Sequence, residues 1–189
     1  WFDAPSEASE YLARVYWLPD GNTVISQWQN RAQDMAVLYR MDVSTGKGHV
    51  LLTERSKFWI NLHDMLFILP YPIHPDACSE IADSIPFMPP ILPTGSFSFL
   101  FASERTGFSH IYLYTYVPGV NGEQAILIRA VSAGDWMVEH IVGADVGKDT
   151  VYLVGTFDSV LERHLYALPL TNRSGIDVDV PESYGMNLV

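Results

Sequence analysis

Apolar and polar residues alternate with a period of two in many short runs of this chain, and turn-forming residues separate the runs. Tyr11-Leu12-Ala13-Arg14-Val15-Tyr16-Trp17 opens the pattern, and Leu18-Pro19-Asp20-Gly21-Asn22 turns it into Thr23-Val24-Ile25-Ser26-Gln27-Trp28. A third run, Asp34 to Met41, sets Ala36, Leu38 and Arg40 on one face and Val37, Tyr39 and Met41 on the other. Ser44-Thr45-Gly46-Lys47-Gly48 then turns into His49-Val50-Leu51-Leu52-Thr53. Alternation bounded by Gly, Pro, Asn and Asp is the pattern of strands joined by tight turns. Residues 10–56 therefore predict a four-stranded antiparallel meander, with residues 1–9 as a leader. No run keeps a 3.6-residue period between caps, so no long helix is predicted.

The pattern recurs. A second unit, residues 57–131, begins at Phe58-Trp59-Ile60-Asn61 and reaches Phe67-Ile68-Leu69. It resumes with Ser96 to Ser103, His110 to Val117 and Ala125 to Arg129. Between the two parts lies an insertion, residues 70–95, that holds seven prolines: Pro70, Pro72, Pro75, Pro86, Pro89, Pro90 and Pro93. Proline cannot donate to a ladder, so this stretch reads as a surface excursion, with a helical turn expected near Ser79 to Ala82. A third unit, residues 132–171, has strands at Trp136 to Ile141, Thr150 to Gly155 and His164 to Leu170. Residues 172–189 form a tail whose alternating Ile176-Asp177-Val178-Asp179-Val180 is a candidate fourth strand, with order ending at Pro181 and Gly185. Polar turns leading into Tyr39, Tyr112 and Tyr166 recur once per unit, which argues for a repeat. The fold class expected is all-β: a partial β-propeller of about three four-stranded antiparallel blades. Propeller rings hold 4–8 blades, so three make an arc.

Composition narrows the function classes. The 189 residues are 48% hydrophobic, 13% aromatic and only 17% charged, which suits a packed β core and not a disordered chain. The net charge of −11, without a Lys/Arg cluster, excludes a nucleic-acid-binding surface. A single cysteine, Cys78, rules out an internal disulfide and favours a reducing compartment. The longest apolar run, near Met65 to Leu69, is too short to span a bilayer, and no signal segment opens the chain.

Candidate chemistry is sparse. No G-x-S-x-G elbow occurs; Gly95-Ser96-Phe97-Ser98-Phe99 comes nearest and sits in a β pattern, so no catalytic residue is assigned. His63, Asp64, His74 and Cys78 fall close in sequence but lack metal-ligand spacing, so no metal or other cofactor is expected. His110 and His164 each precede a repeat tyrosine by two residues and are expected to brace their turns by hydrogen bonds. Glu54-Arg55, Glu104-Arg105 and Glu162-Arg163 point to opposite faces, so each charge is expected to pair with another strand or blade.

Five segments, in order, resemble the N-terminal propeller of the dipeptidyl peptidase IV family of serine peptidases, closest to its cytosolic branch, dipeptidyl peptidases eight and nine. They are Glu10 to Arg14 with Trp17 and Pro19-Asp20-Gly21; Trp59-Ile60-Asn61-Leu62-His63-Asp64; Phe101 to Glu104 with Thr106-Gly107-Phe108 and His110; Gly134-Asp135-Trp136; and Gly155 to Tyr166. The chain departs from the family at Met137, where an acid is favoured, and at Val160, where proline is common. The resemblance implies an eight-bladed propeller capping a C-terminal α/β-hydrolase domain. The parent would be a cytoplasmic enzyme releasing N-terminal dipeptides after proline or alanine. The family's catalytic triad lies in the hydrolase domain, and its paired glutamates have no counterpart here, since no Glu-Glu occurs. This region would then be non-catalytic and shape substrate access, with His63 and Asp64 as its peptide-substrate contacts. The alternative is a scaffold or protein-binding propeller from an inactive relative. Bare terminal blades imply association between copies, with parts of Tyr11 to Trp17 and of Val151 to Val154 expected to lie bare.

Overall fold

A computed structural model describes residue 5, residues 10–78 and 91–171, and the backbone of residues 187–188. Among the described residues twelve strands form three antiparallel sheets of four. The first sheet holds β1 (Tyr11–Trp17), β2 (Thr23–Gln29), β3 (Met35–Asp42) and β4 (Gly48–Arg55), in chain order. The second holds β5 (Leu66–Ile68), β6 (Phe97–Ser103), β7 (His110–Tyr116) and β8 (Ile126–Ala130), also in chain order. The third holds β9 (Val138–Asp145), β10 (Thr150–Gly155), β11 (His164–Pro169) and β12 (Asn187–Leu188), ordered β12-β11-β10-β9. Helical structure among the described residues is confined to three short 3₁₀ turns.

Two compact units share these sheets. The first comprises residues 1–64 and 116–125. In it the β2–β3 turn is fixed by Asn30, whose Oδ1 accepts from the Met35 amide at 3.2 Å and whose Nδ2 donates to Asp34 at 2.7 Å. Gly48 starts β4 because any side chain there would overlap the Tyr39 ring. Residues 116–125 fold back onto β4, where the Ala125 amide donates to the Leu51 carbonyl at 2.8 Å. Their turn runs Asn121, Gly122, Glu123, all at positive φ. The Glu123 carboxylate holds it, accepting from the Tyr116 hydroxyl at 2.5 Å and the Gly119 amide at 2.9 Å. The Arg40 guanidinium lies 4.9 Å above the Tyr116 ring. Burial first, then the Glu123 contact, pushes the Tyr116 hydroxyl up to about 12.

The second unit comprises residues 65–115 and 126–189. Its core packs Leu100, Leu113, Val138, Leu153 and Leu168 around Trp136. Each is nearly inaccessible, and burying such a side chain is worth about 1.5–3 kcal/mol. The segment before the 3₁₀ turn at Pro75–Cys78 is not the surface excursion the prolines suggested. Ile73 is buried, its amide donates to Ser98 Oγ at 2.7 Å, and its carbonyl accepts from Thr115 Oγ1 at 2.7 Å. Ser98 therefore stitches this segment to the sheet. The helical turn expected at Ser79 to Ala82 lies outside the described residues.

Four further expectations are revised. Val151 and Leu153, expected to lie bare on a terminal blade, are fully buried in the second unit's core. The second sheet does not begin at Phe58: residues 56–65 contain no strand, and at their centre the Ile60 amide goes to a turn carbonyl, Gln33, and the Ile60 carbonyl to the Gln29 side chain. The third sheet begins at Val138, since Trp136 turns inward as a core residue. The strand added to β11 is Asn187–Leu188, beyond Pro181 and Gly185, pairing with Ala167 and Tyr166; the expected strand at 176–180 lies outside the described residues.

Candidate functional site

The residues singled out as substrate contacts, His63 and Asp64, sit at the end of a ten-residue link between β4 and β5, spanning 56–65. Residues 56–64 of the link are held as a strap within the first unit. Its near end is fixed by the Ser56 amide, which donates to the Asp34 carbonyl at 2.9 Å, and by Ser56 Oγ, which accepts from the Phe58 amide at 3.1 Å. Its centre is fixed at Ile60, which is buried. The Ile60 amide donates to the carbonyl of Gln33, a residue at φ +59°, over 2.8 Å. The Ile60 carbonyl accepts from Gln29 Nε2 at 3.1 Å. Its far end is fixed by Asp64, whose carboxylate accepts from Arg14 Nε.

Arg14 was legible in the sequence only as a strand residue. What aims it is a β-bulge: the β1–β2 register shifts between Leu12 and Arg14. A bulge leaves one residue out of the ladder and re-aims its neighbours. Here Arg14 Nη1 donates to the Ala13 carbonyl at 2.8 Å, while Nε faces Asp64. The hydrogen bond and the charge of Asp64 raise the Arg14 pKa further above its ordinary value. Tyr16, next on that face, has its hydroxyl pKa raised by burial and then by the Asp64 charge, with Arg14 partly offsetting both. No alternation signal reports such a bulge, because Tyr11 and Leu12 are both apolar and both exposed.

The outer side of the strap carries large apolar side chains beside the exposed Lys57, Asn61 and Asp64. Phe58 and Trp59 are 80% and 63% exposed, and Leu62 is exposed as well. His63 is half-buried, and Asp64 is exposed apart from its contact with Arg14. The strap thus offers aromatic surface, one imidazole and an ion-paired carboxylate. Ser56 Oγ is engaged by the Phe58 amide, and Lys57 is exposed.

His110, His164, Arg163, Arg105 and His74 have structural partners. His110 is buried in the second unit, and its Nε2–H donates to the Gly134 carbonyl at 2.8 Å. That tautomer makes Nδ1 an acceptor for Ser132 Oγ at 3.1 Å, and Ser132 in turn accepts from the Ile111 amide at 3.0 Å. Burial lowers the His110 pKa, and the Gly134 contact offsets part of that. His164 braces its turn differently, through Glu162 at 3.0 Å. Arg163 pairs with Glu139 at 2.8 Å, the cross-strand use expected of these charges. Arg105 departs from that expectation: it stacks 4.1 Å above the Tyr112 ring and donates to the Tyr114 hydroxyl at 2.6 Å. His74 accepts from the Asp76 amide at 3.2 Å. Among the described residues no three of His, Cys, Asp and Glu converge as metal ligands, and no helix is long and apolar enough to cross a membrane.

Comparison with known proteins accounts for this architecture. The chain is 26% identical to human dipeptidyl peptidase 8, over 90% of this chain and 21% of that protein. It is 28% identical to a probable dipeptidyl peptidase 4 of Aspergillus flavus, over 87% of this chain and 19% of that protein. It therefore spans about a fifth of the length of these relatives. The crystal structure of Porphyromonas gingivalis dipeptidyl peptidase 4 superposes with a TM-score of 0.65 at 21% identity, covering 91% of this chain and 20% of that one. That likeness makes the fold a partial β-propeller. The family model for the dipeptidyl peptidase IV N-terminal region matches residues 1–186, and the chain belongs to that family.

Proposed function

We propose that this region is the non-catalytic propeller part of a serine-type dipeptidyl peptidase. In that role it shapes the path by which peptides reach a hydrolase domain elsewhere in the same polypeptide. The observation that carries the reading is the family match over residues 1–186. The strap supports it. A link pinned at Ser56, Ile60 and Asp64 presents His63 with little freedom to move, and preordered contacts cost less on binding. His63 is the substrate contact in this reading, and the substrates are peptides with proline or alanine next to the N-terminal residue. The single cysteine fits a cytoplasmic setting. Exposed Leu12, Val15 and Trp17 share one face of β1 and favour association between copies, which sedimentation at several concentrations tests.

The test of function uses the full-length protein and a Gly-Pro chromogenic substrate. The expected result is cleavage, with His63→Ala raising KM several-fold while kcat holds. Absence of cleavage, or a KM unmoved by His63→Ala, overturns the reading. Residues 1–189 alone are expected to leave the same substrate uncut, because nucleophile, base and oxyanion donors must be positioned together.

A further inference from the structure

We propose that Arg14 is the positioning residue of the strap: its bulge-aimed guanidinium engages Asp64 internally, so that Asp64 clamps the strap and His63 alone meets the substrate. The geometry has three parts. The shift between Leu12 and Arg14 removes Ala13 from the ladder. Arg14 Nη1 then satisfies the Ala13 carbonyl, which fixes the guanidinium plane, and Nε is left facing Asp64. Asp64 lies four residues past Ile60, the strap's buried anchor, so the pair adds a hold on the strap's far end beyond it. An aspartate already paired with an arginine carries little net field toward a peptide's amine, so the strap's charge is spent on its own conformation. This reassigns Asp64 from substrate contact to anchor.

The inference rests on the proposed function only for its kinetic arm; its structural arm stands alone. The structural arm is hydrogen exchange at the amides of residues 60–64 in the full-length protein. Arg14→Ala and Asp64→Ala are each expected to speed that exchange about two- to fivefold, the range of an exposed ion pair. The Arg14→Ala/Asp64→Ala double variant is expected to add nothing, because both singles remove the same contact. Arg14→Lys, which keeps the charge but loses the planar fork, falls in between. In the kinetic arm each single raises KM by the same factor with kcat unchanged, and the double again matches the singles.

Unchanged exchange in Arg14→Ala overturns the proposal. So does a rise in KM for Asp64→Ala without faster strap exchange, or effects that multiply in the double variant, since either means Asp64 touches substrate itself. If Arg14→Ala unfolds the protein, Arg14→Lys and Asp64→Asn decide by the same exchange readout. A protein with no peptidase activity but faster, non-additive exchange removes the proposed function and leaves the clamp in place.

Discussion

The two links that join one sheet's last strand to the next sheet's first each carry a tryptophan, and they treat it in opposite ways. Trp136, between β8 and β9, is 4% exposed; Trp59, between β4 and β5, is 63% exposed. The first link turns inward at Gly134, φ +112°, and Trp136 Nε1 donates to the Ala133 carbonyl at 2.6 Å. Around the indole stand His110 at 5.5 Å, Phe157 at 5.6 Å and Tyr166 at 6.0 Å between ring centroids. The second link bonds through the Ser56 and Ile60 backbone and through the Arg14–Asp64 pair, and it leaves Phe58 and Trp59 outside. One link is a joint of the core. The other holds side chains away from the core at fixed positions, which is how a scaffold presents a binding surface.

Mutation of the buried link has the largest expected effect. Trp136→Ala empties the centre of the aromatic cluster and is expected to cost about 3–5 kcal/mol in denaturant unfolding. Gly155→Ala tests the same joint without removing a ring. A methyl there meets the Met137 carbonyl at 2.5 Å and the indole at 2.8 Å, so a loss of about 1–3 kcal/mol is expected. A Gly155→Ala protein of unchanged stability would show that the link yields as easily as an exposed one.

A smaller effect is expected at the first unit's turn. Tyr116→Phe removes the hydroxyl that donates to Glu123 and is expected to cost about 1 kcal/mol. The pH dependence has a definite sign. The folded value, about 12, lies above the unfolded one near 10, so the stabilisation is complete below pH 10 and is lost as pH rises toward 12. A Tyr116→Phe protein should lack that alkaline loss, read from unfolding midpoints across this range.

His110 gives the opposite sign. Its folded pKa lies below the unfolded value near 6.5, so its contribution is complete above that pH and falls as acid protonates the unfolded chain first. His110→Gln should flatten the stability curve below pH 6.5 relative to the parent. At the strap the expected change is smallest: Phe58→Ser and Trp59→Ser should move stability by no more than about 0.5 kcal/mol, as for exposed sites without buried partners. A larger loss would mean that the strap belongs to the core after all.

Much of this architecture was legible from local pattern. Alternation and turn residues predicted strands within a residue or two at Thr23–Gln29, Phe97–Ser103 and Thr150–Gly155, because a strand half-buried on a pleated sheet must repeat its apolar residues every second position. The β-propeller class and the family followed from motifs carried in order. The strap was misread as a strand because Phe58-Trp59-Ile60 has β propensity, and propensity cannot report that Ile60 bonds to Gln33 and Gln29. His63 and Asp64 are neighbours in sequence, yet only the fold shows that Asp64 is paired with an arginine fifty positions away.

The sequence by itself determined the strand content, the turns that demand glycine or asparagine, the absence of a hydrolase elbow in this chain, and the acidic balance. All of these depend on residues within a few positions of each other or on composition. Only the tertiary structure decided which tryptophan is buried, which histidine is buried, where a bulge aims Arg14, and that Asp64 is already engaged. Those outcomes depend on which distant groups meet, and on how much water their meeting excludes, which no local pattern encodes.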